Sequence, residues 1–365
     1  MRAFTCNRCG QLVFFENSLC LRCATPLGFV PSALELVAMT RETVAAGALR
    51  RCANATVAGC NWMLEAGDSA RLCRSCRLTR TRPGDSDAEG LAAFARAEAA
   101  KRRLLFGLFD LGLGVDEGGL AFDLLASRSA PVLTGHDNGV ITIDLAESDD
   151  ARREERRAEL GEPYRTMLGH FRHEIGHYYW PLLIEGTGEL ERWRSLFGDE
   201  RLDYEEALQR NYRAGPPPDW GDRHVSAYAA AHPWEDWAET FAHYLHIRDT
   251  LQTAAAFGLV VTGPRPPGDY SVMDAPGRDP SEKSIDAVIR DWLPLTYALN
   301  AVNRSMGRDD LYPFTLASTV IDKLAFVHDR VRWTSARGSH GSGPFLHMAK
   351  QETGGLAKNS WRRAL

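Results

Sequence analysis

One stretch constrains this chain more than any other: residues 163–180, which contain His173-Glu174-Ile175-Gly176-His177. On a helix, residues four apart lie on one face about one turn apart, so the two imidazoles can grip a single metal ion from the same side. Glu174 hangs beside them, too short to compete as a ligand but placed to touch a metal-bound water. This is the arrangement expected of a zinc hydrolase, in which the metal lowers the water's pKa to about 7 and the glutamate takes its proton. The surroundings read as a helix: Pro163 suits a first turn, Met167, Leu168, Phe171, Ile175 and Tyr178 recur at helical spacing, and Pro181 closes the run.

The length of 365 residues, 44% of them hydrophobic, accommodates one large domain and a small one. A net charge of -5 and a pI near 6.1 give no global pull toward nucleic acid or membrane. No apolar run approaches the roughly 18 residues of a membrane span, and the N-terminus lacks the apolar core of a signal peptide, so a cytoplasmic location is expected. The eight cysteines agree, because they fall in pairs with metal spacing rather than in a disulfide framework.

Cys6-x-x-Cys9 is followed after ten residues by Cys20-x-x-Cys23, and Cys52, Cys60 and Cys73-x-x-Cys76 use the remaining thiols. Each quartet predicts a closed tetrahedral site for a structural zinc, holding together a segment poor in core residues. Residues 1–82 form this module. Eleven arginines against five acids give it +6, which two tetrathiolate zinc centres at -2 each reduce to +2. That balance weakens the case for nucleic acid, although Arg71, Arg74, Arg77, Arg80 and Arg82 cluster and could face phosphate or an acidic partner.

Residues 82–87 read as a linker and 89–106 as a helix, which together make 83–110 a connecting segment. Apolar runs at 121–126, 132–134 and 139–145, split by turn residues, predict a small antiparallel sheet ahead of the metal-binding helix. The last run, Gly139 to Leu145, is a candidate for docking an extended peptide by strand addition. Residues 149–160 predict an exposed charged helix, and further helices are expected near 189–197 and 203–212, before a break at 214–222. Later, 262–280 reads as a surface wrap, and 285–303 and 314–331 as two core helices. The tail, 336–365, is expected to be mobile.

Two histidines leave zinc under-coordinated, and a helix starting at Pro233 supplies the missing donor. Glu235 and Glu239 lie one turn apart in an aromatic setting of Trp234, Trp237, Phe241 and Tyr244. Glu235 is the preferred ligand, over Glu239 or Asp236, and Glu239 would accept the outer N–H of His173 or His177. His243 and His246 continue away from the metal, as supporting or surface groups.

The order His173-Glu174-x-x-His177, Tyr228, Glu235, Glu239 resembles the gluzincin metallopeptidases. Its Tyr-x6-Glu-x3-Glu spacing is similar to that of the catalytic domain of anthrax lethal factor. From Cys6-x-x-Cys9 to the helices past 280, the chain resembles bacterial zinc-binding metallopeptidases with an N-terminal zinc ribbon. The resemblance implies an α+β, zincin-like domain over 111–335 that hydrolyses peptide or protein substrates. It also implies His173, His177 and Glu235 as ligands, Glu174 as base, Tyr228 as oxyanion donor and Glu239 as outer acceptor. One catalytic and two structural zinc ions follow, with a protein partner for the ribbon as a further expectation. The interval of 58 residues from His177 to Glu235 is longer than in compact gluzincins. Two rival readings remain: a Spartan-type protease acting on DNA-bound protein, and a non-enzymatic ribbon-bearing interaction protein with a vestigial protease domain.

Overall fold

Short Cys-x-x-Cys turns shape the beginning of the chain. In the computed structural model, which describes residues 2–41, 43, 49–127, 132–160, 162–263 and 283–338, β1 (Phe4–Thr5) pairs antiparallel with β2 (Leu12–Val13). Between them the Cys6 carbonyl accepts from the Cys9 and Gly10 amides at 3.2 and 2.8 Å, a turn that draws both thiols to one point. Two further antiparallel pairs follow, β3 (Leu27–Val30) with β4 (Glu35–Ala38) and β5 (Leu49–Arg51) with β6 (Met63–Glu65).

After a single turn of helix, α1 (Arg74–Arg77), come β7 (Thr79–Thr81) and the long α2 (Ala88–Asp110). The linker ends where Asp87 caps α2, its Oδ1 accepting from the Gly90 amide at 2.9 Å. Phe106 of α2 enters the ribbon, lying 5.1 Å from Phe15, which in turn meets Phe29 at 4.9 Å, and Phe29 meets Trp62 at 5.0 Å. The cysteine module therefore shares an aromatic core with the helix behind it and is not held by its thiols alone.

The sheet departs from the antiparallel arrangement expected. β7 pairs parallel with β8 (Ala121–Leu125), β8 pairs parallel with β10 (Val140–Asp144), and only β9 (Gly135–Asp137) runs antiparallel, in the order β7-β8-β10-β9. α2 is the crossover that parallel pairing needs. β9 forms at 135–137 rather than 132–134, because Asn138 (φ 47°) and Gly139 (φ 81°) make the two-residue turn into β10. A Cβ at Gly139 would stand 2.0 Å from the Gly119 carbonyl oxygen, so only glycine fits there. β10 is bonded on both sides, by β8 and β9. Over 140–142 both edges are taken, which leaves a substrate strand no edge to join there, against the strand addition expected at Gly139 to Leu145.

α3 (Asp150–Leu160) precedes the metal-binding helix α4 (Met167–Leu183). Its start is set by Thr166, whose Oγ1 accepts from the Gly169 amide at 3.0 Å, so Pro163 lies before the helix rather than in its first turn. Its end lies two residues past Pro181, which sits inside the last turn and withholds an N–H from the ladder. Two compact units result, one ending and the other beginning within α4, between Phe171 and Arg172.

The second unit is helical: the rest of α4, α5 (Leu190–Phe197), α6 (Tyr204–Ala214), α7 (Pro233–Ala256), α8 (Ile285–Ser305) and α9 (Ser318–Gly338). Its core is aromatic. Trp193 stacks on Phe197 at 5.4 Å, Phe197 meets Trp237 at 5.8 Å and Phe326 at 6.1 Å, and Tyr179 stacks on Phe241 at 5.6 Å. The last helix begins at Ser318, later than residue 314. Residues 264–282, and the tail beyond Gly338, lie outside the described residues. The α+β class holds, with small sheets in the first unit and helices dominating the second. Among the described residues no helix is long and apolar enough to cross a membrane.

Candidate metal centre

Gly176 lets α4 and α7 come together. A Cβ there would stand 3.0 Å from the Cα and 3.2 Å from the carbonyl oxygen of Ala238, and Trp237 Nε1 donates to the Gly176 carbonyl at 2.8 Å. At that approach, His173 and His177 on α4 face Glu235 and Glu239 on α7. The two imidazole Nε2 atoms lie 3.2 Å apart, and Glu235 Oε2 is 3.1 Å from the first and 3.7 Å from the second. Ligands about 2.0–2.1 Å from a tetrahedral zinc stand about 3.3 Å from one another, so these donors fit such an ion in type and spacing. Glu235 is fully buried and His173 nearly so.

The outer nitrogen of His173 is also held. Its Nδ1 lies 2.7 Å from Glu239 Oε1, and Ser226 Oγ donates to Glu239 Oε2 at 2.6 Å. The Nδ1 proton therefore points to Glu239, and Nε2 is the nitrogen turned toward Glu235 and His177. Burial opposes charge on His173, yet the hydrogen bonds that Glu235 and Glu239 accept from it outweigh burial and raise its pKa to about 10. Burial likewise opposes charge on Glu239, but the His173 contact holds it down at about 2.

Ser226 has a second task, its Oγ accepting from the Ala229 amide at 3.1 Å. That bond starts the short 3-10 turn Tyr228–Ala231 and sets the Tyr228 ring 6.0 Å from the His173 ring. Glu174 is buried on α4 next to His173. Asp236 is engaged elsewhere, accepting from Lys323 Nζ at 2.6 Å with both groups buried. Of the three acids considered as ligand, Glu235 alone is directed at both imidazoles. His243 is not a surface group: it is buried, with Nδ1 2.7 Å from the Tyr312 hydroxyl, and burial lowers its pKa to about 4. His246 Nδ1 lies 3.3 Å from an Arg172 nitrogen, and burial lowers its pKa to about 3.

Tyr204 escaped the sequence reading. Its hydroxyl donates to Glu235 Oε1 at 2.6 Å across 31 residues of chain, a pairing that no spacing rule marks.

The cysteines gather as their spacing predicts. In the first quartet Cys6 and Cys23 sulfurs are 3.8 Å apart, and Cys9 and Cys20 3.6 Å; in the second, Cys60 and Cys73 are 3.6 Å apart. These separations exceed the ~2.05 Å of a disulfide and match the roughly 3.8 Å expected between thiolates 2.3 Å from one tetrahedral zinc. Cys52 and Cys76 complete the second quartet, which is wholly buried, whereas Cys9 and Cys23 of the first are partly exposed. The arginine cluster is largely neutralised: Arg77 pairs with Asp68 at 2.8 Å and Glu117 at 3.1 Å, Arg82 with Asp85 at 2.7 Å, and Arg80 with Asp123.

Comparison with known proteins agrees with this chemistry. The model of a family described as "Putative zinc-binding metallo-peptidase" matches residues 90–330, and that of a "zinc-ribbon domain" matches residues 3–87. Proteins of Mycobacterium bovis and of two strains of Mycobacterium tuberculosis are each 50% identical over 335 residues, covering 90% of this chain and 94% of their own. All three bear only the description "Uncharacterized protein". No solved structure matches the chain. Since the peptidase match spans more than half its length, the chain belongs to this family of zinc-binding metallopeptidases, with a zinc-ribbon domain ahead of it.

Proposed function

We propose that the protein hydrolyses peptide bonds of a peptide or protein substrate at a zinc ion held by His173, His177 and Glu235. The observation that carries the reading is the meeting of two imidazole nitrogens and a buried carboxylate oxygen 3.1–3.7 Å apart. When bound, zinc supplies the Lewis acidity that makes water a nucleophile near neutral pH and polarises the scissile carbonyl. Glu174 takes the proton of the attacking water and delivers it to the leaving amine nitrogen. The Tyr228 phenol donates to the carbonyl oxygen as negative charge develops there. Glu239, itself held by Ser226, keeps the His173 proton on Nδ1.

Three zinc ions per chain follow, one catalytic and two structural. The order of Tyr228, Glu235 and Glu239 supports a gluzincin-type site, and the likeness to the lethal factor domain rests on that spacing alone. Unbridged thiols in metal-like quartets fit a reducing compartment such as the cytoplasm. The paired arginines count against the Spartan-like reading, which salt-dependent DNA binding would revive. Failure of the zinc-loaded protein to cut any peptide in a broad library would favour a vestigial domain.

Glu174→Gln tests the mechanism. Peptide hydrolysis should fall by at least about 10²-fold while all three zinc ions are retained. Undiminished hydrolysis in that variant contradicts the assignment.

A further inference from the structure

Glu235 presents its two oxygens to different partners. Oε2 faces His173 Nε2 at 3.1 Å and His177 Nε2 at 3.7 Å, while Oε1 accepts the Tyr204 hydroxyl at 2.6 Å. A carboxylate in reach of a metal can bind through one oxygen or both, and the second oxygen fills a coordination position if nothing else holds it. A catalytic zinc site needs that position open for water.

The placement of Tyr204 is built into the fold. It is the first residue of α6, directly after the cap Asp203, whose Oδ1 accepts from the Glu206 amide at 2.8 Å. The turn before it is braced by Arg194, whose Nε donates to Glu200 Oε2 at 2.9 Å and whose terminal nitrogen donates to Oε1 at 2.5 Å. His232 ties the same turn to α7. Its Nδ1 accepts from the Trp234 amide at 3.2 Å, capping that helix, and its Nε2 donates to the Leu202 carbonyl at 3.1 Å. The hydroxyl-bearing turn and the first turn of the ligand helix are thus fastened together beside the Tyr204–Glu235 bond. The Tyr204 ring lies 5.2 Å from that of His232 and 6.2 Å from that of Trp234, which fixes its swing.

We propose that Tyr204 is a positioning residue that makes Glu235 a single-oxygen ligand and so keeps a coordination position free for the hydrolytic water. The inference rests on the metal site proposed above. Without the phenol, Oε1 turns toward the metal and the carboxylate binds through both oxygens.

The test uses full-length protein, wild type against Tyr204→Phe and Glu235→Ala, each loaded with cobalt(II) as a spectroscopic probe and separately with zinc. Tyr204→Phe removes one oxygen from a half-buried ring and leaves the packing in place. In the wild-type minus Tyr204→Phe difference spectrum the thiolate bands of the cysteine sites cancel. The expected result is a visible band gained by the wild type, marking lower coordination number, together with a 10–100-fold loss of zinc affinity at one equivalent in the variant. A flat difference spectrum overturns the proposal, whether affinity is unchanged or lowered, because a purely structural role moves affinity without moving the spectrum. Equal metal content of two in wild type and Glu235→Ala shows instead that the underlying metal site is absent, a failure distinct from that of Tyr204.

Discussion

Glu235 and Glu239 stand on successive turns of α7 and hold the two nitrogens of one imidazole, Nε2 at 3.1 Å and Nδ1 at 2.7 Å. They differ in what lies beyond: Glu239 leans on Ser226, while Glu235 shares its reach with His177 and Tyr204. Glu239→Ala should therefore keep the ligand set but free the His173 ring, lowering affinity for one zinc by about 10–100-fold in a chelator competition. Unchanged affinity would show that Glu239 does not orient the ring. The four-residue spacings of His173 with His177 and of Glu235 with Glu239 made these groups legible in the sequence. Tyr204 was not legible, since its partner is reached only through tertiary packing of α6 on α7.

At the level of elements, the site depends on how closely α4 meets α7. Replacing Gly176 with Ala gains up to about 1 kcal/mol of helix propensity. The added Cβ meets backbone of Ala238 at 3.0 Å, which cannot swing aside as a side chain would. Overpacking of this kind costs about 1–3 kcal/mol, so the loss should prevail. Gly176→Ala is expected to lower Tm by about 2–4 °C and to weaken zinc binding, as calorimetry of the zinc-loaded protein would show. A raised Tm would mean that the helices can part without cost. The helices expected near 89–106 and 203–212 and from Pro233 form close to those positions, because helical spacing and breaks are local, whereas the ends around Pro163, Pro181 and residue 314 shifted by a few residues. Strand direction did not follow from sequence: β7 and β8 pair across the whole of α2, and the three residues 79–81 carry no strand signal of their own.

For the molecule as a whole, His243 and His246 on α7 are held neutral by burial in the folded state. His243 and His246 titrate at about 4 and about 3, against about 6.5 when unfolded, so the unfolded chain binds more protons between those values. Their contribution to stability is complete above pH ~6.5 and is lost as pH falls toward 4. Denaturant melts between those limits should show falling stability on acidification, with a slope smaller by roughly one proton in His243→Gln. An unaltered slope would place His243 in water. The cysteine-rich segment at the start of the chain was readable from its Cys-x-x-Cys spacing. The boundary inside α4 was not, because the helix runs unbroken across it.

Metal analysis of the purified protein beside its Glu235→Ala variant tests the central assignment most directly. The account predicts three zinc ions per chain in the wild type and two in the variant, with both cysteine sites still filled. Two in each, or three in each, would contradict it.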